Sequence, residues 1–278
     1  MTRIDRRHPR YGSLRVRAAL AEALRSGLVV PEGLTAHGRG EAFDYFLGER
    51  TTPSAHRAER VAALWLLRAS HPVISVNGNV AALATPEVAR LARAVPGLLV
   101  EVNLFHRTPA RVRAVARRLR AGGVKKVYGL HAARSVPGLP SDRAWVDPRG
   151  IALADVCLIP LEDGDRAEAL RAMGKRVIAI DLNPFSRTAQ VADLPIVDEL
   201  TRALKGIRAA AERAGVPAPN ARFPPFNSAA ALRAAREEMV RHLRRPGAAR
   251  ASRRPPQGSG RRSRRKHSAR SRRHRSRR

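Results

Sequence analysis

One cysteine, Cys157, occurs in the 278 residues, so no disulfide can form within the chain. It sits in the apolar run 154–160 and reads as a buried core thiol rather than a nucleophile. Aromatic residues make up only 4% of the chain, so a core must be built from Ala, Val, Leu and Ile, which suits helices packed on a parallel sheet. No apolar run approaches the roughly 18 residues that mark a membrane-spanning helix. The amino terminus also lacks a charged segment followed by an apolar one, so neither export nor membrane insertion is expected and the chain reads as cytoplasmic. Gly-Lys-Ser, Gly-Lys-Thr and Gly-x-Gly-x-x-Gly are all missing, which removes the two common nucleotide-binding fingerprints.

Acidic residues are absent from 241–278, a stretch with 17 Arg and Lys. The first 240 residues hold 37 basic and 23 acidic side chains, a net of +14 out of the total of +31. From about residue 246 the chain is Arg, Ser, Pro and Gly with no periodic apolar position. Such a tail cannot bury enough surface to fold alone and is expected to be disordered. It would bind RNA, DNA or other polyanions by counterion release, without sequence readout. The plainer alternative is a solvated appendage.

What remains is globular, with a hydrophobic fraction of 44%. Periodicity predicts helices at about 13–26, 54–70, 86–95, 108–121, 165–173, 198–214 and 227–243, and strands at about 72–77, 98–104, 124–129, 154–160, 176–181 and 195–198. After residue 70 strands and helices alternate, which predicts an α/β fold: a mostly parallel sheet with helices on both faces. Residues 1–70 read as an amino-terminal helical cap, and 1–245 as one domain ahead of the tail 246–278.

Four of these strands end in polar clusters, at the edge where open α/β sheets bind ligands. Asn77-Gly78-Asn79 offers amides and a glycine that admits close backbone approach, suiting a phosphate cradle or a tight turn. Asn103, His106 and Arg107 follow the next strand, with Thr108-Pro109 as helix N-cap and N1. Glu162, Asp163 and Asp165 follow 154–160 and suit either magnesium or the start of a helix. Asp181, Asn183, Ser186, Arg187 and Thr188 crowd the turn after 176–181, where a phosphate and a ribose could be met or a turn simply capped. Upstream, Gly38 and Gly40 flank Arg39, a setting suited to bidentate phosphate recognition if Arg39 is more than a surface residue.

Seven segments, HPRYGSLRVR (8–17), GLTAHGRGEAFDYFLGERT (33–51), HPVISVNGNVAAL (71–83), EVNLFHRT (101–108), PLEDGDR (160–166), GKRVIAIDLNPFSRTA (174–189) and IVDELTRA (196–203), occur in this order. Together they resemble the archaeal phosphopantothenate synthetase, or 4-phosphopantoate–β-alanine ligase, family. The resemblance implies a Rossmann-like homodimer. It also implies a step of coenzyme A biosynthesis in which 4-phosphopantoate, β-alanine and ATP give 4′-phosphopantothenate, AMP and diphosphate through an acyl-adenylate, with magnesium accompanying ATP. Carried over by motif, the ATP contacts are Arg17, Arg39, Asp181, Leu182, Asn183, Arg187, Thr188, Glu199 and Leu200. Glu199 stands where the family has an asparagine, so a side-chain contact there is in doubt while backbone contacts can survive. Asn77, Gly78, Asn79 and Arg107 are the candidates for the anion site that 4-phosphopantoate requires. No Ser/His/Asp or Cys/His arrangement is needed, because arginines and magnesium can stabilise the charge on the α-phosphate. The competing readings are a nucleic-acid-binding protein acting through its tail, and a related acid–amine ligase with other substrates.

Overall fold

The computed structural model describes residues 4–8, 10–215 and 222–244. The expectations for the tail 246–278 lie outside the described residues. Three helices come first: α1 (Tyr11–Arg25), α2 (Pro31–Leu47) and α3 (Pro53–Arg68). Then β1 (Pro72–Val76), α4 (Gly78–Ala94), β2 (Leu99–Val102), α5 (Pro109–Ala121) and β3 (Val127–Tyr128) form the first parallel half. A two-stranded antiparallel hairpin, β4 (Arg134–Ser135) and β5 (Trp145–Val146), leads to β6 (Val156–Pro160). The second half is β6, α6 (Gly164–Ala172), β7 (Arg176–Ile180), α7 (Arg187–Val191) and β8 (Leu194–Ile196), followed by α8 (Leu200–Ala214) and α9 (Ser228–Leu243).

The main sheet has the order β3-β2-β1-β6-β7-β8, and every pairing in it is parallel. Successive residues of each strand feed opposite faces. Ile74, Val76, Leu158, Ile178 and Ile180 pack into one core with α3, α4, α5 and α8. Val73, Cys157, Ile159, Val177 and Ala179 pack into another with α6 and the segment around the hairpin. Burial on both faces explains the near-continuous apolar strands and fulfils the α/β expectation, amino-terminal helices included. Burial pushes the Cys157 thiol up to about 12, in keeping with an inert core residue.

Four elements depart from the sequence-based expectation. Helix α2 lies within the expected amino-terminal helical region but was not among the predicted helices, because Gly33, Gly38 and Gly40 weaken its helical pattern. Helix α4 starts at Gly78 rather than near 86; the structure kinks at Ala84, ahead of Pro86, which explains why only the second half was periodic. The hairpin and α7 are too short to leave a period.

Candidate active site

In the main sheet the order reverses between β1 and β6: the first half is built outward on one side and the second half on the other. Such a switch point opens a crevice at the carboxyl ends of the two central strands. Asn77 closes the root of it. Its Oδ1 accepts from Val80 N at 3.0 Å, capping α4, and its Nδ2 donates to Pro160 O at 3.2 Å and Leu161 O at 2.9 Å. Leu161 turns the chain with φ of 52°, an uncommon conformation for a residue with a Cβ.

A charge cluster lies buried under this turn. Glu162 accepts from Arg143, from Arg166 Nη1 at 2.6 Å and from Ser75 Oγ at 3.3 Å. Arg166 is fully buried. Arg143 Nε lies 3.1 Å from Asp163 Oδ2, so two arginines face two carboxylates. Thr188 Oγ1 donates to Glu162 O at 2.7 Å and ties α7 to the same turn.

Above the turn lie two cavities. The first, about 840 Å³ and open to solvent, is roofed by α2 and floored by the carboxyl ends of β6, β7 and β8. Arg39, Asp181, Leu182, Asn183, Glu199 and Leu200 all line it, so six of the nine residues expected at a nucleotide come together. His37, Glu41 and Phe43 of α2 join them. The second cavity, about 870 Å³, lies over β1 and β2 and is lined by Asn77, Gly78, Asn79, His106, Arg111 and Arg143, among others. Ala36, Asn79, Leu161 and Asp163 line both, forming a common wall.

The remaining expected residues stand elsewhere. Arg17 is outside the first cavity, in an adjoining one with His37, and its Nη2 is 3.5 Å from Glu41 Oε1. Arg187 is exposed and pairs with Glu168, its Nε donating at 2.9 Å. Thr188 is buried and committed to Glu162 O. Arg107 donates from Nη2 to Gly129 O at 2.6 Å, at the end of β3, and is not on the second cavity's wall. Arg111 is there instead, with Nη2 on the carbonyl of Leu28 at 3.2 Å and Nε on that of Gly27 at 3.4 Å, and Glu32 of the same cavity supplies an opposite charge nearby.

Several local readings change. The Gly78 backbone approaches the Leu28 carbonyl, only 2.2 Å from where a Cβ would sit, so its lack of a side chain serves packing. Gly38 and Gly40 lie inside α2 with open space around them rather than in a tight loop holding Arg39. Glu162 is consumed by Arg143, Arg166 and Ser75, which leaves it no freedom to ligate magnesium. Glu199 N-caps α8, its Oε2 accepting from Thr201 N at 2.9 Å and Arg202 N at 3.0 Å. A carboxylate caps as an asparagine does, so the exchange keeps the start of α8 in place.

Burial pushes the carboxyls of Asp163 and Asp181 above the ordinary aspartate range, against the pull of Arg143 on the former and of Ser186 and Asn183 on the latter. Burial also lowers the pKa of His37, favouring its neutral form, and leaves its Nε2 without a partner. The sequence offers Asp163 to magnesium or to a helix start and gives His37 no role; Arg111 and Arg143 went unnoticed, being indistinguishable from surface arginines in so basic a chain.

Residues 54–242 match the model of a family described as phosphopantothenate/pantothenate synthetase. The chain belongs to this family. Relatives named 4-phosphopantoate–β-alanine ligase include those of Methanospirillum hungatei, 57% identical over 204 residues (73% of this chain, 83% of the relative), and Methanosarcina mazei, 53% identical (73% and 80%). The Thermococcus kodakarensis protein of the same name is 52% identical (73% and 78%). Within the synthetase family, then, the six-stranded parallel sheet and its switch-point crevice form the frame on which the two cavities stand. No described helix is long and apolar enough to cross a membrane.

Proposed function

We propose that the chain is a 4-phosphopantoate–β-alanine ligase, forming 4′-phosphopantothenate, AMP and diphosphate in coenzyme A biosynthesis. One observation carries the assignment of sites: two cavities share the wall Ala36, Asn79, Leu161 and Asp163, as a reaction joining a nucleotide to a second anionic substrate requires. ATP occupies the first cavity, with Phe43 and Leu182 beside the base, Asp181 and Asn183 near the ribose and Arg39 on the phosphates. Arg17 and Arg187 reach the polyphosphate by exchanging Glu41 and Glu168; exposed ion pairs are worth only about 0–1 kcal/mol, so the exchange costs little. Thr188 and the amides of Glu199 and Leu200 hold the adjoining turns.

4-Phosphopantoate occupies the second cavity, its phosphate at the first turn of α4 by Gly78 and Asn79. Arg111 faces the same phosphate, while Arg107 supports that region through Gly129. The pantoate carboxylate at the common wall attacks the α-phosphate, expelling diphosphate and giving an acyl-adenylate. Holding both reactants in place supplies much of the acceleration, and arginines offset the charge gathering on phosphorus. Magnesium is expected with ATP. Among the described residues no group of three or more His, Cys, Asp or Glu could hold it, so phosphate oxygens and water would be its main ligands.

AMP release from ATP, with 4-phosphopantoate and β-alanine added singly and together, tests the assignment. AMP and phosphopantothenate in equal amounts only with both present supports it. Turnover only with another acid or amine moves the chain to a different ligase of the same chemistry. We further infer one ligase domain over 1–245, a homodimer, and a tail 246–278 that binds polyanions without serving the chemistry. Deleting the tail should then abolish polyanion retention and leave turnover intact.

A further inference from the structure

An aspartate at a helix N-cap ordinarily turns its carboxylate onto the free N–H groups of the first turn. Asp163 occupies that position on α6, yet its side chain makes no capping bond. It turns instead into the wall common to the two cavities. There its Oδ2 is buried without a hydrogen bond; Arg143 Nε is 3.1 Å away but out of alignment. The other carboxylates around the first cavity are engaged. Glu162 is held by Arg143, Arg166 and Ser75, Asp181 by Asn183 N and Ser186, Glu199 by the first turn of α8, and Glu41 by Ser13, Tyr45 and Arg17. Glu32 lines only the second cavity and His37 does not line it at all. Among the described residues, Asp163 is the titratable side chain that borders both.

We propose that Asp163 is the catalytic base of the amine half of the reaction, receiving the ammonium group of β-alanine at the common wall and taking a proton from it. The inference rests on the acyl-adenylate reading given above. β-Alanine arrives with a protonated nitrogen, which has no lone pair to attack with. Transfer of one proton to the Asp163 carboxylate frees that pair. The nitrogen then bonds to the acyl carbon, the bond from that carbon to the AMP oxygen breaks, and the electron pair departs on AMP. The nitrogen's second proton passes to solvent, leaving a neutral amide. Arg143, Glu162, Asp165 and Arg166 set the charge around Asp163, and burial outweighs Arg143 in raising its pKa.

Hydroxylamine provides the discriminating probe, because its nitrogen is unprotonated at neutral pH and needs no base. AMP release from ATP and 4-phosphopantoate is measured for the wild type and Asp163→Asn with β-alanine or hydroxylamine as acceptor. The wild type should use both. Asp163→Asn should lose about 10²–10⁴-fold of kcat with β-alanine, the usual worth of a general base, while its rate with hydroxylamine stays within a few-fold. The residual β-alanine rate should climb about tenfold per pH unit as free amine accumulates. Asp163→Asn that keeps β-alanine turnover, or loses both acceptors alike, overturns the base assignment. A wild type that makes phosphopantothenate but gives no AMP with hydroxylamine brings down the acyl-adenylate reading and this inference together.

Discussion

Asn77→Ala should destabilise the protein before it touches catalysis. The substitution removes three hydrogen bonds at the switch point: the cap onto Val80 N and the two donations to Pro160 O and Leu161 O. Losing an N-cap costs about 1 kcal/mol. Each buried carbonyl left without a donor adds about 1–3 kcal/mol, discounted here because Leu161 is only half buried and water can reach it. The sum is about 2–3 kcal/mol, a fall in Tm of about 5–10 °C for a fold of this size. Asn77→Asp separates the parts. Its carboxylate still accepts from Val80 N but faces two carbonyl oxygens, so its pKa in the folded state must rise above the unfolded value. The protonated form can donate to one of them. Stability of Asn77→Asp relative to the wild type should therefore be greatest below about pH 4, the unfolded aspartate pKa, and fall as pH rises through the folded pKa. Urea midpoints at pH 5 and 8 read both effects. Asn77→Ala with wild-type midpoints and lost 4-phosphopantoate affinity would refute this, making Asn77 a ligand contact rather than a clamp between strands.

Glu101 is wholly buried and burial pushes its carboxyl up to about 7. A folded pKa above the unfolded one means that its contribution to stability is greatest below about pH 4.5 and is lost as pH rises towards 7; Glu101→Gln should flatten that slope in urea titrations, leaving the part due to Glu59, which is also raised to about 7. Gly206→Ala puts a Cβ 2.1–2.6 Å from the Glu59 carboxylate atoms, which are buried and held by His56, so midpoints should drop by about 1–3 kcal/mol. Arg166→Met leaves Glu162 short of a partner and should cost about 3–5 kcal/mol, whereas Arg166→Met with Glu162→Leu should recover much of this. The double variant should still lose turnover, because Arg143 then has only Asp163 to pull on; wild-type turnover would show that the cluster positions nothing.

The six strands of the main sheet were legible because each is buried on both faces, so its sequence is a nearly continuous apolar run, broken by buried Ser75 in β1 and Glu101 in β2. The clusters after 76, 102, 160 and 180 proved to end β1, β2, β6 and β7, four neighbours in space, although only sheet order could reveal their adjacency. The roof was not legible. Helix α2 carries His37, Arg39, Glu41 and Phe43 over the first cavity, but three glycines thin its apolar face. Pro31 at its start, Glu32 in its first turn and Gly48 at φ of 78° beyond its end are standard helix punctuation and were its available signal. Arg111 was hidden differently: on α5 it is one arginine among several, and only the fold brings the carbonyls of Gly27 and Leu28 to it.

Asparagine and aspartate residues at strand ends invite a ligand reading, and here the same residue types divide between two tasks. Asn77, Asp181 and Glu199 spend their side chains on backbone N–H groups or carbonyls of the turns they occupy. Those bonds fix the turns, and the turns present Leu161, Asn183 and Leu200 to the first cavity. Asp163, in an equivalent position at the start of α6, leaves its helix uncapped and its carboxylate oxygen without a hydrogen bond. A buried polar atom without a hydrogen bond is costly, and the needs of the helix N-terminus alone would favour the capping rotamer. The neighbouring charge cluster holds it out of that rotamer, with Arg143 beside it and Glu162 anchored between two arginines. The stability forgone at this one cap is the physical mark that separates a residue serving chemistry from the polar neighbours that serve the fold.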